Sequence, residues 1–176
     1  MKAEILTTQL RLVALTLAQL DQCLEAPVGL GSELGVSISP QLVDGPARRA
    51  TSYKREKMSG LPPESHPWYT FWLVVIAAEG RGVGLAGFKG APNERGELEI
   101  GYGIDPAYRN RGYTTEAVRA LIAWAFTDPA CEAILADTLK ENVASNRVLA
   151  KVGMQIYYET DEGLCWKVER GGACLL

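Results

Sequence analysis

Residues 97–119, ELEIGYGIDPAYRNRGYTTEAVR, combine the side chains and backbone elements that bind a phosphate group. The pattern predicts a strand, a short basic loop that contains Gly112, and the first turns of an amphipathic helix. At a helix start several backbone N–H groups lack an intrahelical partner, and the helix dipole adds partial positive charge. Arg109 and Arg111 contribute two further positive charges. We therefore predict that this segment binds the phosphate or pyrophosphate group of a small molecule.

Two motifs resemble the GNAT superfamily of acetyl-CoA-dependent N-acetyltransferases. The segment from Arg109 to Thr114, RNRGYT, is similar to the family's pyrophosphate loop, although Thr114 stands where that loop usually has Gly or Ala. The segment from Asn142 to Leu149, NVASNRVL, resembles the helix start N-x-x-S-x-x-V/L-L of the branch that includes ribosomal-protein N-terminal acetyltransferases (RimJ/RimL type). More loosely, the resemblance extends from TTQLRLVALT to about Trp166 and so covers nearly the whole chain.

The resemblance implies acetyl-CoA as co-substrate and no metal. In the family, the strand before the loop carries a bulge and diverges from its neighbour, and its backbone then pairs with the pantetheine arm of the coenzyme. Thr114 implies either a slightly different loop position or a direct contact from its hydroxyl. The residues implied to bind the coenzyme are Tyr102, Gly103, Ile104, Arg109, Asn110, Arg111, Gly112, Tyr113, Thr114, Asn142 and Asn146.

The resemblance also implies three catalytic groups. Glu99 matches a family glutamate that takes the proton from the acceptor amine, and Glu97, two residues earlier on the same face of the strand, is the alternative base. The backbone N–H of Tyr102 is implied to polarise the thioester carbonyl. Ser145 matches a serine that protonates the departing thiolate, with Tyr157 and Tyr158 as fallback donors. The alternatives stay open: both glutamates can be solvated, and Asn142 and Ser145 can serve only to cap a helix.

Composition narrows the classes of function. With 176 residues of ordinary apolar and charged content, the chain is predicted to form one soluble domain over residues 1–176. A net charge of −3 argues against nucleic acid as a partner. No apolar run approaches the ~20 residues that span a bilayer, so we predict no membrane partner and a cytoplasmic location. Widely separated cysteines favour reduced thiols over a metal site; they are Cys23, Cys131, Cys165 and Cys174.

The elements that position these residues follow from periodicity and turn signals. We predict strands at 5–13, 71–77, 83–89, 97–104, 133–138, 154–159 and 164–169. Helices are predicted from Thr16 to 25, at 47–58, from the basic loop to before Pro129, and from Asn142 to Gly153. The order predicts an α+β domain of the GNAT type, with a mixed, mostly antiparallel central sheet and flanking helices. Residues 27–46, rich in Gly and Pro, are predicted to be mostly loop.

Other features receive less specific interpretations. Residues 82–87, GVGLAG, match the dinucleotide fingerprint G-x-G-x-x-G, but no helix can open at the following FKGAP, so we predict a glycine-rich strand. The basic helix at 47–58 is predicted to present a solvated face. Trp68, Tyr69 and Trp72 can line an acceptor cleft, although aromatic residues at strand ends are usually core.

These features together predict an N-acetyltransferase. It would move acetyl from acetyl-CoA to a primary amine, on a peptide N-terminus or a small molecule, by direct attack in a ternary complex. The alternative is a non-catalytic module that binds coenzyme A as a sensor or scaffold. Residues 27–70 and the final hairpin would form the acceptor cleft, and the resemblance implies a homodimer through the C-terminal strands.

Overall fold

The fold consists of a twisted sheet with helices on both faces. The computed structural model describes residues 3–43 and 45–172, so Cys174 lies outside the described residues. The strands are β1 (Glu4–Leu6), β2 (Leu10–Ala14), β3 (Ser37–Ile38), β4 (Trp72–Ile76), β5 (Arg81–Phe88), β6 (Glu97–Ile104), β7 (Ala133–Leu139), β8 (Gln155–Glu159) and β9 (Gly163–Glu169). The helices are α1 (Leu17–Glu25), α2 (Pro27–Leu34), α3 (Pro46–Met58), α4 (His66–Tyr69), α5 (Tyr113–Ala125) and α6 (Val143–Lys151).

The strand order in the sheet is β1-β2-β4-β5-β6-β7-β9-β8, and β3 adds to β5. Only the β3–β5 and β6–β7 pairs are parallel, and the other pairs are antiparallel. This arrangement confirms the predicted α+β class with a mixed, mostly antiparallel sheet. β8 occupies one edge of the sheet, and a homodimer through these C-terminal strands stays a prediction.

Each face of the sheet buries its own apolar core. Successive residues of β4 point alternately into the two cores. Trp72 and Val74 belong to the core under α5 and α6, whereas Leu73 and Val75 belong to the core under α1 and α3. Because a strand's side chains alternate between the two faces, burial on both faces requires an uninterrupted apolar run. This explains why residues 72–76 read WLVVI.

Aromatic residues fill the core on the α5 side. Trp124 of α5 packs against Trp68 and Trp72, with ring centroids 4.4 and 5.1 Å apart, and against Phe88 at 6.0 Å. Trp72 is fully buried, and its indole Nε1 donates to the Pro67 carbonyl at 3.0 Å. Of the three aromatic residues considered for the acceptor cleft, Trp68 and Trp72 are therefore packed in this core.

The structure divides the predicted strand 5–13 into a hairpin of β1 and β2. Its turn is fixed by Glu116 of α5, which accepts hydrogen bonds from the Thr7 hydroxyl at 2.6 Å and from the Gln9 backbone N–H at 2.8 Å. Burial raises the pKa of Glu116, but the hydrogen bonds from Thr7, Gln9 and Leu10 outweigh this effect and lower the pKa below its ordinary value. The partner lies 109 residues away, so the local pattern could not reveal this turn.

The segment predicted as loop contains helix α2 and strand β3. Pro27 occupies the first turn of α2, where the lack of a backbone N–H costs nothing, and Gly35 ends the helix in the left-handed region with φ 66°. The Gly and Pro residues that suggested a loop are thus the start and stop signals of a short helix.

Lys54 of α3 ties the helix to the ends of two strands. Its side chain is buried, and its Nζ donates to the Tyr69 carbonyl at 3.1 Å and to the Phe88 carbonyl. Burial, together with the ammonium groups of Lys57 and Lys89, lowers the pKa of Lys54 to about 7. The prediction of a solvated basic face on α3 is therefore wrong for Lys54.

The lowered pKa of Lys54 predicts a pH-dependent stability. Above pH 7 the folded chain loses this proton while the unfolded chain keeps it until about pH 10.4, so the free energy of unfolding rises with pH in this window. Between pH 6.5 and 8.5 we expect the Lys54 contribution to rise by ~2 kcal/mol. Denaturant unfolding of the wild type and of Lys54→Met at both pH values measures it. An equal pH dependence in the two proteins would contradict the prediction.

Candidate active site

Strands β6 and β7 pair at one end and separate at the other. Their parallel pairing covers Glu97–Glu99 against Ala133–Leu135, after which β7 continues against β9 and β6 continues against β5. In the part of the chain that the structure describes, the β7-facing edge of residues 101–104 therefore has no strand partner. The resemblance predicts this separation.

The register of β5 and β6 determines which backbone groups face the gap. The flanking pairs are hydrogen-bonded: Lys89 N donates to Glu99 O and Asp105 N donates to Val83 O, both at 2.8 Å. Hydrogen-bonded and non-hydrogen-bonded pairs alternate along an antiparallel ladder. The N–H and C=O groups of Tyr102 and Ile104 consequently point away from β5, into the gap between β6 and β7.

The floor of this region is open because of Gly101 and Gly103. A Cβ built on either glycine meets no protein atom within 4 Å. Neither glycine is therefore required by a contact with another described residue, and the space above both is empty. The predicted bulge in β6 is wrong: β6 pairs with β5 without a register shift, and the shift lies between Val74 and Val75 of β4. Divergence from β7 alone exposes the edge of β6.

The predicted phosphate loop joins β6 to α5 through a short 3-10 helix at Pro106–Tyr108. Asn110 and Gly112 take positive φ values of 61° and 85°, which turn the chain sharply into α5. Because Gly112 is the N-cap residue of α5, no N-cap side chain satisfies the first N–H groups of the helix. These N–H groups are available to an anion.

The side chains of the loop divide between solvent and sheet. Arg109 and Arg111 are exposed, and Arg111 Nη2 donates to the Ala107 carbonyl at 3.3 Å while its guanidinium lies over the Tyr108 ring.

The residues at the start of α5 face the sheet, and Tyr113 packs at the edge of the core. Thr114 lines a small cavity together with Ile104 and Ala117, so this departure from the family pattern faces the sheet. Glu116 is turned toward the β1–β2 hairpin and leaves the helix start without a neutralising carboxylate of its own.

Ser145 and Tyr102 meet across the gap. The Tyr102 hydroxyl lies 2.8 Å from Ser145 Oγ and 3.3 Å from the Ser145 carbonyl oxygen. Burial raises the pKa of the Tyr102 phenol to about 12, although the hydrogen bond with Ser145 lowers it. At neutral pH the phenol is therefore protonated and can donate. Asn142 caps α6 as predicted, with Oδ1 accepting from the Ser145 N–H at 3.2 Å.

Asn146 is held by the end of β7. Its Oδ1 accepts from the Thr138 hydroxyl at 2.6 Å, and its Nδ2 donates to the Lys140 carbonyl at 3.1 Å. Trp166 Nε1 donates to the same Thr138 hydroxyl at 2.9 Å. These contacts fix α6 against β7 and so fix the position of Ser145; a contact of Asn146 with the coenzyme stays a prediction.

The two candidate bases lie on the opposite face of β6 from the Tyr102 side chain. Glu99 is half-buried and forms an ion pair with Lys89. Glu97 pairs with Lys167, Nζ to Oε1 3.3 Å. Glu99 lies two residues before Gly101, next to the open floor. Glu97 lies two residues further back, at the closed end where β6 and β7 pair.

A cleft of about 620 Å³ covers this face of β6 between α3 and the sheet. Its apolar wall includes Leu42, Ala50, Tyr69, Phe71 and Leu85, and its floor includes Gly87, Gly101 and Gly103. As predicted, the segment 27–70 contributes to this wall. The final hairpin was also expected to contribute, but β8 and β9 are not among the lining elements, because β7 separates them from β6.

Sequence reasoning missed two side chains of this site. The Tyr102 phenol reaches Ser145, 43 residues away, through a contact that strand alternation cannot reveal. Lys54 was placed on a solvated face because its helix carries five basic residues. Its spacing to Met58, four residues on and fully buried, was the available signal that it faces inward.

Two kinds of feature are absent from residues 3–43 and 45–172. No group of three or more His, Cys, Asp or Glu side chains is arranged to hold a metal ion. No helix has the length and apolar content needed to cross a membrane. Cys23 and Cys131 are buried, and burial raises the pKa of Cys23 to about 12.

Comparison with known proteins agrees with this geometry. A family described as "Acetyltransferase (GNAT) domain" matches residues 37–155. The chain is 28% identical over 160 residues to an uncharacterized N-acetyltransferase, YjdG, of Bacillus subtilis, covering 91% of this chain and 94% of that protein.

Two solved structures have the same fold. The ribosomal-protein-S5-alanine acetyltransferase from Vibrio fischeri superposes with TM-score 0.67 at 16% identity, over 96% of this chain and 97% of that one. The Microcin C7 self immunity acetyltransferase MccE, solved in complex with acetyl-CoA and AMP, superposes with TM-score 0.63 at 11% identity, over 93% of each chain. Since the family match covers most of the chain, and the strand gap and helix start predicted by the resemblance are present, this chain belongs to the GNAT acetyltransferase family.

Proposed function

We propose that this protein transfers acetyl from acetyl-CoA directly to a primary amine in a ternary complex. The observation that carries the proposal is the gap between β6 and β7, which leaves the backbone groups of Tyr102 and Ile104 unpaired immediately before the loop that leads to the open start of α5. An extended arm with amide groups can pair with this edge while a pyrophosphate occupies the helix start. The complex of MccE with acetyl-CoA supports this assignment.

Acetyl-CoA would supply an activated acetyl thioester, and the residues of this chain would position it. The Tyr102 N–H donates to the thioester carbonyl oxygen as negative charge develops there. Glu99 accepts the proton that the acceptor amine must lose, directly or through a water molecule. Arg109 and Arg111, with the N–H groups of the first turn of α5, hold the pyrophosphate.

The Tyr102–Ser145 pair would stabilise the leaving sulfur. When the Tyr102 phenol donates to Ser145 Oγ, the Ser145 hydroxyl proton is free to point toward the thiolate. The pair lies on one face of β6 and Glu99 on the other. The amine would therefore add to the thioester carbonyl from the side of the cleft, and the tetrahedral intermediate would then lose the thiolate toward α6, so that the acetyl group passes to the amine without a covalent enzyme intermediate.

Acetyl-CoA binding tests the first part of the proposal. We expect calorimetric titration to give micromolar binding of acetyl-CoA but none of ATP or NAD. Arg111→Gln should weaken binding about 10-fold, because it removes a charge-assisted contact to phosphate. Arg95→Gln, in the exposed turn before β6, is the matched control and should bind normally. Binding without acetylated product from any amine would instead favour the non-catalytic sensor or scaffold.

Glu99→Gln tests the base. Without the carboxylate only the spontaneously deprotonated amine reacts, and its fraction falls tenfold per pH unit below the amine pKa. We expect kcat/KM to fall by ~10²-fold, most steeply at low pH, with acetyl-CoA affinity retained. Glu97→Gln is the matched control on the same strand face. A larger loss in Glu97→Gln would transfer the role to Glu97, and unchanged pH profiles in both would exclude a glutamate base.

Tyr102→Phe tests the pair with Ser145. Loss of the phenol hydroxyl leaves the ring packed but removes the donor to Ser145 Oγ, so we expect kcat to fall ~10-fold with little change in the affinity for acetyl-CoA. The control is Tyr158→Phe, because Tyr158 is 60% exposed on the edge strand β8. A loss of activity in this variant would instead support Tyr158 as the fallback proton donor. Full activity in Tyr102→Phe would show that Ser145 acts without this partner.

A further inference from the structure

Among the described residues, the lining of the cleft above Gly101 carries an excess of positive charge, although the whole chain is acidic. Four described basic side chains line it and one described acidic side chain does; the basic ones are Lys54, Lys57, Lys89 and Arg109, and the acidic one is Asp105. Within a cleft of low dielectric, this concentration of one sign attracts an oppositely charged ligand.

Three of these cations converge on the end of β5. Lys54 Nζ donates to the Phe88 carbonyl, and Lys57 Nζ lies 3.4 Å from the carbonyl oxygen of the next residue, Lys89. Lys57 also lies over the rings of Tyr53 and Tyr69, 5.6 and 5.5 Å from the ring centroids. Burial lowers the pKa of Lys54, and the nearby ammonium groups of Lys57 and Lys89 lower it further.

The carboxylates of the described residues neutralise only one lysine of this cluster. Glu99 pairs with Lys89, but no carboxylate in residues 3–43 and 45–172 lies within 4 Å of the ammonium nitrogen of Lys54 or Lys57. Asp105 is engaged elsewhere: its carboxylate accepts hydrogen bonds from Ser39 and the Ala107 N–H, which, with Arg109 and Arg81 nearby, lower its pKa despite burial.

The coenzyme does not account for these lysines. Its phosphates are assigned to the loop after β6, beyond Ile104, whereas the lysines gather beside Glu99 at the other end of that strand. Five strand residues separate the two positions, a distance of about 17 Å. The lysine cluster is closer to the thioester position: Phe88 and Lys89 lie one and two residues beyond Gly87, the register partner of Gly101, so about 7 Å separates them along the strand.

We infer that the acetyl acceptor is a small amine that carries an anionic group, a carboxylate or a phosphate, on an apolar body. The amine lies over Gly101, the apolar body contacts Tyr69, Phe71 and Leu85, and the anion lies between Lys57 and Lys89. The cleft volume of about 620 Å³ is in the range of small-molecule sites. This inference rests on the proposed function and names the class of its acceptor.

Matched pairs of amines test the charge preference. The probes are para-(aminomethyl)benzoate against para-(aminomethyl)benzamide, and phosphotyramine against tyramine; within each pair the amine and ring are kept and only the anion changes. Binding to the enzyme saturated with coenzyme A is measured by calorimetry, and acetylation by product formation. We expect each anionic amine to bind about 10-fold more tightly than its neutral partner. The pair with the larger difference in affinity shows whether a carboxylate or a phosphate is preferred.

Lys57→Gln locates the anion. We expect it to weaken binding of the preferred anionic amine about fivefold, to leave the neutral partner unchanged, and to reduce the salt dependence of binding. Lys151→Gln, at the exposed end of α6, is the control and should retain the preference. Lys57 is chosen because Lys89 pairs with the candidate base and Lys54 supports the fold.

The two readouts separate the inference from the function on which it rests. Equal affinity for charged and neutral partners, or a preference that Lys57→Gln leaves intact, would overturn the anionic acceptor even if both amines are acetylated. Charge-selective binding without any acetylated product would instead overturn the proposed transfer. Selective binding of a peptide with an acidic second residue over every small amine would overturn the small-molecule class.

Discussion

The separation of β6 from β7 is the constraint on which the site depends. A parallel pair that continued past Glu99 and Leu135 would satisfy the backbone of Tyr102 and Ile104 and close the sheet. Unpaired backbone groups in a sheet interior cost free energy unless water or a ligand satisfies them. Along the gap, β6 stays paired with β5 and β7 stays paired with β9, so both strands keep their extended conformation although they no longer pair with each other.

The gap also separates two sets of groups. On the side of α3, the glycine floor lies under the cleft, and Glu99 lies on the same face of β6 in an ion pair with Lys89 of the cleft wall. On the side of α6, Tyr102 and Ser145 form a hydrogen-bonded pair that can meet a leaving sulfur. Because side chains alternate between the two faces of a strand, Glu99 and the Tyr102 phenol lie on opposite sides of β6 and do not crowd each other.

The sequence predicted the elements whose signals are local. β6 has the predicted bounds, Asn142 caps α6, and Thr16 caps α1 in a reciprocal box with Gln19, because each depends on a few neighbouring residues. The glycines of residues 82–87 form strand β5 as predicted; a Cβ on Gly84 would approach the Gly103 carbonyl oxygen to 2.8 Å.

Features that depend on distant partners were not predictable in this way. The β1–β2 turn requires Glu116, and the phenol of Tyr102 requires Ser145; in both cases the two residues are brought together only by the completed sheet. The charge of the cleft was likewise hidden by the totals, since the acidic residues that make the chain net negative lie mostly elsewhere. The net charge of a chain describes its surface as a whole, whereas the charge of the ligand that a cleft can bind depends on the residues that line that cleft.

The lysine cluster places a charged group in an unfavourable environment. Burial disfavours the charged form of Lys54 and lowers its pKa, and the ammonium groups of Lys57 and Lys89 lower the pKa further. Carbonyl groups of Tyr69 and Phe88 offset part of this cost, but a methionine could fill the same space without it. In the proposal of an anionic acceptor, the negative charge of the ligand would offset the repulsion between these ammonium groups when the ligand binds above the open floor of Gly101 and Gly103.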